Sequence, residues 1–159
     1  MTMARQPFET LEGHGSPTVR QLSVFLENRV GQLLRLTQLI EDKDIRILAL
    51  TVIDSVDFAV ARLVFDAPDE AERVLREAGF AVSVSELVVV KLPRGERGLL
   101  AIFSALLSAE INISYAYPLL PAKFGSAIAL SVDSIEIAAE TLMRKKFVVL
   151  NEMDLQKGP

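Results

Sequence analysis

The strongest constraint on this chain is that its sequence repeats. A segment opened by Gly31, "GQLLRLTQLIEDKDIRIL", returns 67 residues later as "GLLAIFSALLSAEINIS", opened by Gly98. Asp44 in "DIRIL" then matches Glu110 in "EINIS" at an offset of 66. "APDEAERVL" from Ala67 faces "SIEIAAETL" from Ser134 at 67, and Phe80 faces Phe147 at 67. Matches in one order, drifting by about one residue, are what a duplicated unit leaves when insertions fall in loops. At 159 residues the chain suits one ordinary domain or two very small ones. Whatever one half folds into, the other is expected to fold into as well.

The first half reads as follows. Arg20–Glu27 alternates, with Leu22, Val24 and Leu26 on one face, which predicts a strand. Gly31 opens a segment with Leu33, Leu36, Leu39 and Ile40 at helical spacing. Ile45–Asp54 is β-branched and predicts a second strand. "DSVD" (Asp54 to Asp57) is turn chemistry, and Phe58–Phe65 predicts a third strand. Asp66 and Pro68 open a second helix with an Ala71, Val74, Leu75 and Ala78 stripe, which Gly79 ends. Phe80–Ser85 is the fourth strand. The second half repeats this order with strand Leu87–Leu92, helix Gly98–Ala109, strands Ile111–Leu119 and Ser126–Val132, helix Ile135–Lys145 and strand Phe147–Met153.

The predicted fold class is therefore α+β: two ferredoxin-like (βαββαβ) units in tandem, with antiparallel sheets and helices on one face. The expected boundaries are a flexible tail over residues 1–18, units over 19–85 and 86–155, and a C-terminal tail over 156–159. "VSVSELVVVKL" (Val82 to Leu92) passes from one sheet into the next with no linker, so the units are expected to pack side by side. The helix "GLLAIFSALLSA" is apolar around most of its circumference, which predicts burial between the units or against a second chain.

Composition narrows the function. The chain has no cysteine, which excludes disulfides and thiolate metal sites and fits a cytoplasmic setting. Net charge is −4, and the one short cationic run, Arg144 to Lys146, is accounted for by a helix C-terminus, so nucleic acid is not an expected partner. No stretch approaches the ~18 apolar residues a membrane span needs, and no leader-like apolar segment begins the chain. The single histidine, His14, lies in the tail, and no nucleophile, phosphate-loop or metal-ligand motif appears. Asp54 and Asp57 read as turn residues. The expectation is a protein that is not an enzyme and carries no cofactor.

"QLSVFLENRVGQLLRL" with "DIRILAL", and "RGERGLLAIF" with "EINISYAY", each resemble the opening of an ACT domain. Together with "DFAVARLVF", they make the chain similar, over about Arg20 to Leu155, to small bacterial stand-alone proteins built from two ACT domains. Val30 and Arg97 stand where that family commonly has proline, and Ala59 where it often has glycine. The resemblance implies a regulatory or sensor protein that binds a small molecule, an amino acid, at the interface between ACT domains. It also implies a homodimer.

Helix N-termini suit such a ligand, because unpaired backbone N–H groups and the helix dipole attract a carboxylate and glycine leaves the approach open. The expected ligand-binding residues are Asn28, Arg29, Val30, Gly31, Gln32 and Leu33 on one wall, with Gly98 and Leu99 at the equivalent helix start. Asn112, Ile113, Ser114, Tyr115 and Tyr117 form the expected facing wall. Asn28, Asn112 or strand carbonyls would receive the ammonium group, and the tyrosines would shape the side-chain pocket. Other readings stand beside these: Gly31 as a tight turn, the tyrosines as cross-strand packing, and Asn112 as a local backbone partner. Two alternative functions also stand, an interaction scaffold with a closed pocket and an RRM-like RNA-binding pair. The second shares the topology but lacks the basic, aromatic sheet face.

Overall fold

The computed structural model describes residues 17–27 and 30–156, and the backbone of 8–10 and 13–15. Inside the segment expected as a tail, β1 (Phe8–Thr10) and β2 (Gly13–Gly15) pair antiparallel. The first half then runs β3 (Val19–Glu27), α1 (Gln32–Asp42), β4 (Ile47–Asp54), β5 (Phe58–Phe65) and α2 (Pro68–Glu77). A long strand, β6 (Ala81–Lys91), leads into α3 (Gly98–Ser108), β7 (Ile113–Pro118), β8 (Ala127–Val132), α4 (Ile135–Arg144), β9 (Val149–Leu150) and α5 (Glu152–Leu155).

The duplication is visible in the backbone. Each of the four long helices is followed by a residue at positive φ: Asp44 (57°), Gly79 (92°), Glu110 (56°) and Lys146 (71°). The hydrogen bonds around them match as well. Ile45, Phe80, Ile111 and Phe147 donate their N–H groups to Ile40, Leu75, Leu106 and Leu142, which closes each helix in the same way.

Two strands differ from expectation. The predicted strands at Phe80–Ser85 and Leu87–Leu92 are one strand, β6, because nothing in "AVSVSELVVVK" breaks the extended chain. Its first part pairs with β3 (Ala81↔Phe25 to Leu87↔Val19) and its last part with β8 (Val88↔Leu130 to Lys91↔Ala127). The predicted strand Phe147–Met153 shrinks to two residues, since Asn151 caps a helix instead. Asp154 donates its N–H to Asn151 Oδ1 at 3.0 Å, and Asn151 donates its own to Asp154 Oδ2 at 2.8 Å.

The main sheet has seven strands in the order β4-β5-β3-β6-β8-β7, with β9 also on β6, and every pairing is antiparallel. Its two end strands meet: Ala49 bridges Leu119, and Leu120 donates its N–H to Leu48 O at 2.7 Å. The sheet is thus folded back on itself about β6. Helices α1 and α2 bury Leu36, Ile40, Val74 and Leu75 on one half of it, and α3 and α4 bury Ile102, Leu106 and Leu142 on the other. The helix-free faces cover each other through a third cluster that includes Val19, Val64, Leu87, Val89, Tyr117 and Ala129.

The halves therefore meet face to face and not simply side by side. For the same reason α3 is not buried between them. Leu99, Leu100, Phe103 and Leu107 lie exposed on its outer surface. Arg20 ties the halves together at the start of β3. Its guanidinium donates through Nε to Glu152 Oε1 at 2.7 Å, through Nη2 to Glu152 Oε2 at 2.9 Å, and through Nη1 to Asp69.

Candidate functional site

Strand β3 ends at Glu27, and Asn28 and Arg29 lie outside the described residues. Val30 and Gly31 are exposed, and Gly31 occupies the N-cap position of α1 at φ 86°. That left-handed backbone alone explains a glycine there. A Cβ at Gly31 would meet nothing within 4 Å, and no side chain caps the helix among the described residues, so the first amides of α1 stand open. Gln32 begins the helix and Leu33 packs against the core.

Beside this helix start lies a cleft of about 460 Å³ lined by Phe25, Glu27, Gln32, Arg35, Asp57 and Phe58, together with Gly79, Phe80 and Ala81. The Arg35 guanidinium lies 4.7 Å above the Phe80 ring and donates to Ala78 O at 2.9 Å, which holds it in place. The rings of Phe25 and Phe58 sit 6.3 Å apart. The cleft thus offers a cation, two carboxylates and aromatic surface together.

The equivalent cleft of the second half, about 570 Å³, has different chemistry. It is lined by Lys91, Arg94, Gly95, Gly125, Ser126 and Lys146, among others, and by no carboxylate. Gly98 is buried here. A Cβ would stand 3.1 Å from Pro93 O and 3.3 Å from Pro93 Cδ, so this glycine serves close packing of the loop on α3 and leaves no approach for a ligand. Leu99, next to it, is exposed on α3.

Tyr115 and Tyr117 do not face the Gly31 loop within the chain. Tyr117 donates its hydroxyl to Gln21 Oε1 at 2.6 Å, and Gln21 Nε2 donates to Tyr115 Oη at 2.8 Å and Ser85 Oγ at 3.1 Å. Arg62 covers the Tyr115 ring at 3.8 Å from its centroid. Burial, with the neighbouring Tyr115, pushes the Tyr117 phenol well above its usual range, against a smaller opposing pull from Arg62. Tyr117 remains a donor at any ordinary pH. The six steps of β3 from Gln21 to Glu27 span roughly 20 Å at ~3.3 Å per residue. The tyrosine cluster fastens one helix-free face to the other at the far end of that strand. Asn112 is exposed and its backbone exchanges hydrogen bonds with Asp133: its N–H donates to Asp133 Oδ1, and the Asp133 N–H donates to Asn112 O, each at 3.3 Å. Ile113 pairs with Val132, and Ser114 is exposed.

Sequence reasoning missed Arg35, Glu27, Asp57 and the three phenylalanines. The charges looked like a solvated helix face and turn residues, and only the close approach of the β5 start to the β3 end gathers them. Among the described residues, no group of histidine and carboxylate side chains could hold a metal ion.

Comparison with known proteins agrees with this architecture. The model of the ACT domain pair matches residues 17–158. Protein BT0572 from Bacteroides thetaiotaomicron superposes with a TM-score of 0.80 at 27% identity, covering 89% of this chain and 97% of its own. The ligand-free regulatory subunit of aspartate kinase from Thermus thermophilus superposes at 0.55 with 15% identity, covering 79% and 90%, which shows a shared fold alone. No curated protein matches the chain. With the pair model spanning the described core and both halves carrying the β-α-β-β-α-β order, the chain belongs to the ACT domain pair family.

Proposed function

We propose that the protein is a regulatory amino-acid sensor whose ligand sits at the start of α1. The observation that carries this reading is the open helix N-terminus at Gly31 beside a cleft with Arg35, Glu27 and Asp57. A ligand carboxylate would sit against the first amides of α1 and the fixed Arg35 guanidinium. Its ammonium group would face Glu27 and Asp57, and Phe25 and Phe58 would cover an apolar side chain. Gly31 and Gln32 belong to this wall. A second copy, as a homodimer, closes the site in place of the Asn112 to Tyr117 strand, whose Tyr117 is held by Gln21 within the chain. The exposed, uncharged stripe of α3 at Leu99, Phe103 and Leu107 suits the self-association of two copies. A non-catalytic role in the cytoplasm completes the reading.

Thermal melting with a panel of amino acids tests it. A ligand at about 100 times its Kd adds about 2.7 kcal/mol. At about 2–4 °C per kcal/mol for a chain of this size, the Tm should rise by roughly 5–10 °C. Arg35→Ala should lose most of that rise. A flat response to every amino acid at millimolar concentration would contradict the reading.

A further inference from the structure

A second cavity opens where the halves meet, at the opposite end of β5 from Phe58 and so away from the α1 cleft. Its volume is about 280 Å³, near the lower end of the range for small-molecule sites. Leu48, Phe124 and Leu155 give it buried apolar walls, and Arg46 and Lys123 are exposed on its lining. Asp66 also lines it and is only 6% exposed.

Asp66 has two different oxygens. Oδ1 accepts the Arg46 N–H at 2.8 Å and so joins the start of β4 to the end of β5. Oδ2 is buried and has no hydrogen-bond partner among the described residues. The repeat shows that this burial is not required by the strand-joining bond. Asp133, 67 residues later, accepts the Asn112 N–H in the same way while exposed. In the first half alone the aspartate is roofed by the β7–β8 loop and α5. A buried carboxylate oxygen without a donor is unfavourable, and such a group calls for a partner.

We infer that this cavity binds a small molecule with a primary ammonium group and a compact apolar body, the ammonium donating to Asp66 Oδ2. Where the ligand also carries a carboxylate, Arg46 and Lys123 receive it. The site is independent of the α1 cleft and does not rest on that cleft being occupied.

The test is thermal melting and 15N NMR of the whole chain with isopentylamine, and with 4-methylpentanoate as the matched anion. Isopentylamine at about 100 times its Kd should raise the Tm by several degrees, and 4-methylpentanoate should not. Asp66→Asn keeps an acceptor for the Arg46 N–H and replaces Oδ2 by a neutral amide group. It should abolish the amine response without lowering the ligand-free Tm. Arg35→Ala, in the other cleft, should leave the amine response intact, so failure of either site is read separately. In the wild-type spectrum the Arg46 amide should move with isopentylamine and the Gln32 amide should not, a readout that holds even if Asp66→Asn does not fold. An amine response that survives in Asp66→Asn, or an Arg46 amide that stays still because water alone serves Oδ2, would overturn the inference.

Discussion

Gly31 and Gly98 open the matching segments of the repeat, yet Gly31 is the N-cap of α1, in open space at positive φ, while Gly98 is the first residue of α3, pressed against Pro93. Around them the charges also change. Glu27 in the first half corresponds, 67 residues on, to Arg94, and Arg35, in the helix that α3 repeats at an offset of 66, corresponds to Ala101. One cleft is mixed in charge and the other carries only cations. The packing that defines the fold is kept in both halves, down to the positive-φ residue after each long helix. The loops, free of that packing duty, have diverged in chemistry. A glycine shared by two copies is therefore no guide to a shared role. What surrounds it decides.

The largest effect should come from placing one side chain at both glycines. Gly98→Asn drives a side chain into the Pro93 backbone and should cost about 3 kcal/mol through overpacking and amide burial. Gly31→Asn should cost under about 1 kcal/mol, since asparagine tolerates left-handed backbone and the space is empty. Denaturant melts of both variants measure the difference. Equal costs would break the contrast between the loops.

Next is the tyrosine cluster. Tyr117→Phe leaves the buried Gln21 Oε1 without its donor and should destabilise the chain by about 2 kcal/mol. The affinity for an amino acid at the α1 cleft should not change. A weakened ligand with unchanged stability would return the tyrosine to the binding site.

Arg35→Ala should then weaken the proposed amino-acid ligand about tenfold or more, through loss of one charge-assisted contact. Lys91→Ala in the sister cleft should leave it unaltered. Calorimetric titration of both variants compares the copies directly.

The smallest effect concerns acid. Arg20 holds the Asp69 carboxyl below the usual aspartate range, first through its hydrogen bond and then through its charge. A depressed folded-state value means stability that is present above the unfolded pKa and lost as pH falls through the folded one. Asp69 is exposed, so solvent screening keeps this contribution slight. Asp69→Asn should flatten the loss of Tm below about pH 4 by a barely resolvable amount. A marked change near neutrality would contradict this assignment.

Much of this was legible in local pattern. Period-two alternation at Leu22, Val24 and Leu26, and helical spacing at Leu36 and Ile40, placed β3 and α1, and duplication carried the same elements into the second half. Local pattern failed where distant segments decide. "AVSVSELVVVK" reads as two strands only if a sheet boundary is assumed between them, and the fold draws no break there. The Asn151 cap turned an expected strand into a helix through contacts three residues apart, too short a signal to outweigh the apolar run before it. Tyr115 and Tyr117 carried the right spacing for one face. Which partner that face meets depends on Gln21, more than ninety residues away. Asp66 became unusual only because residues 122–124 and 154–156 close over it.

The contrast between the copies is tested most directly by following backbone amides in a 15N NMR titration with a mixture of amino acids. The account predicts that Gly31 and Gln32 shift in a saturable way while Gly98 and Leu99 stay in place. Equal movement at both helix starts, or stillness at Gly31, would contradict it.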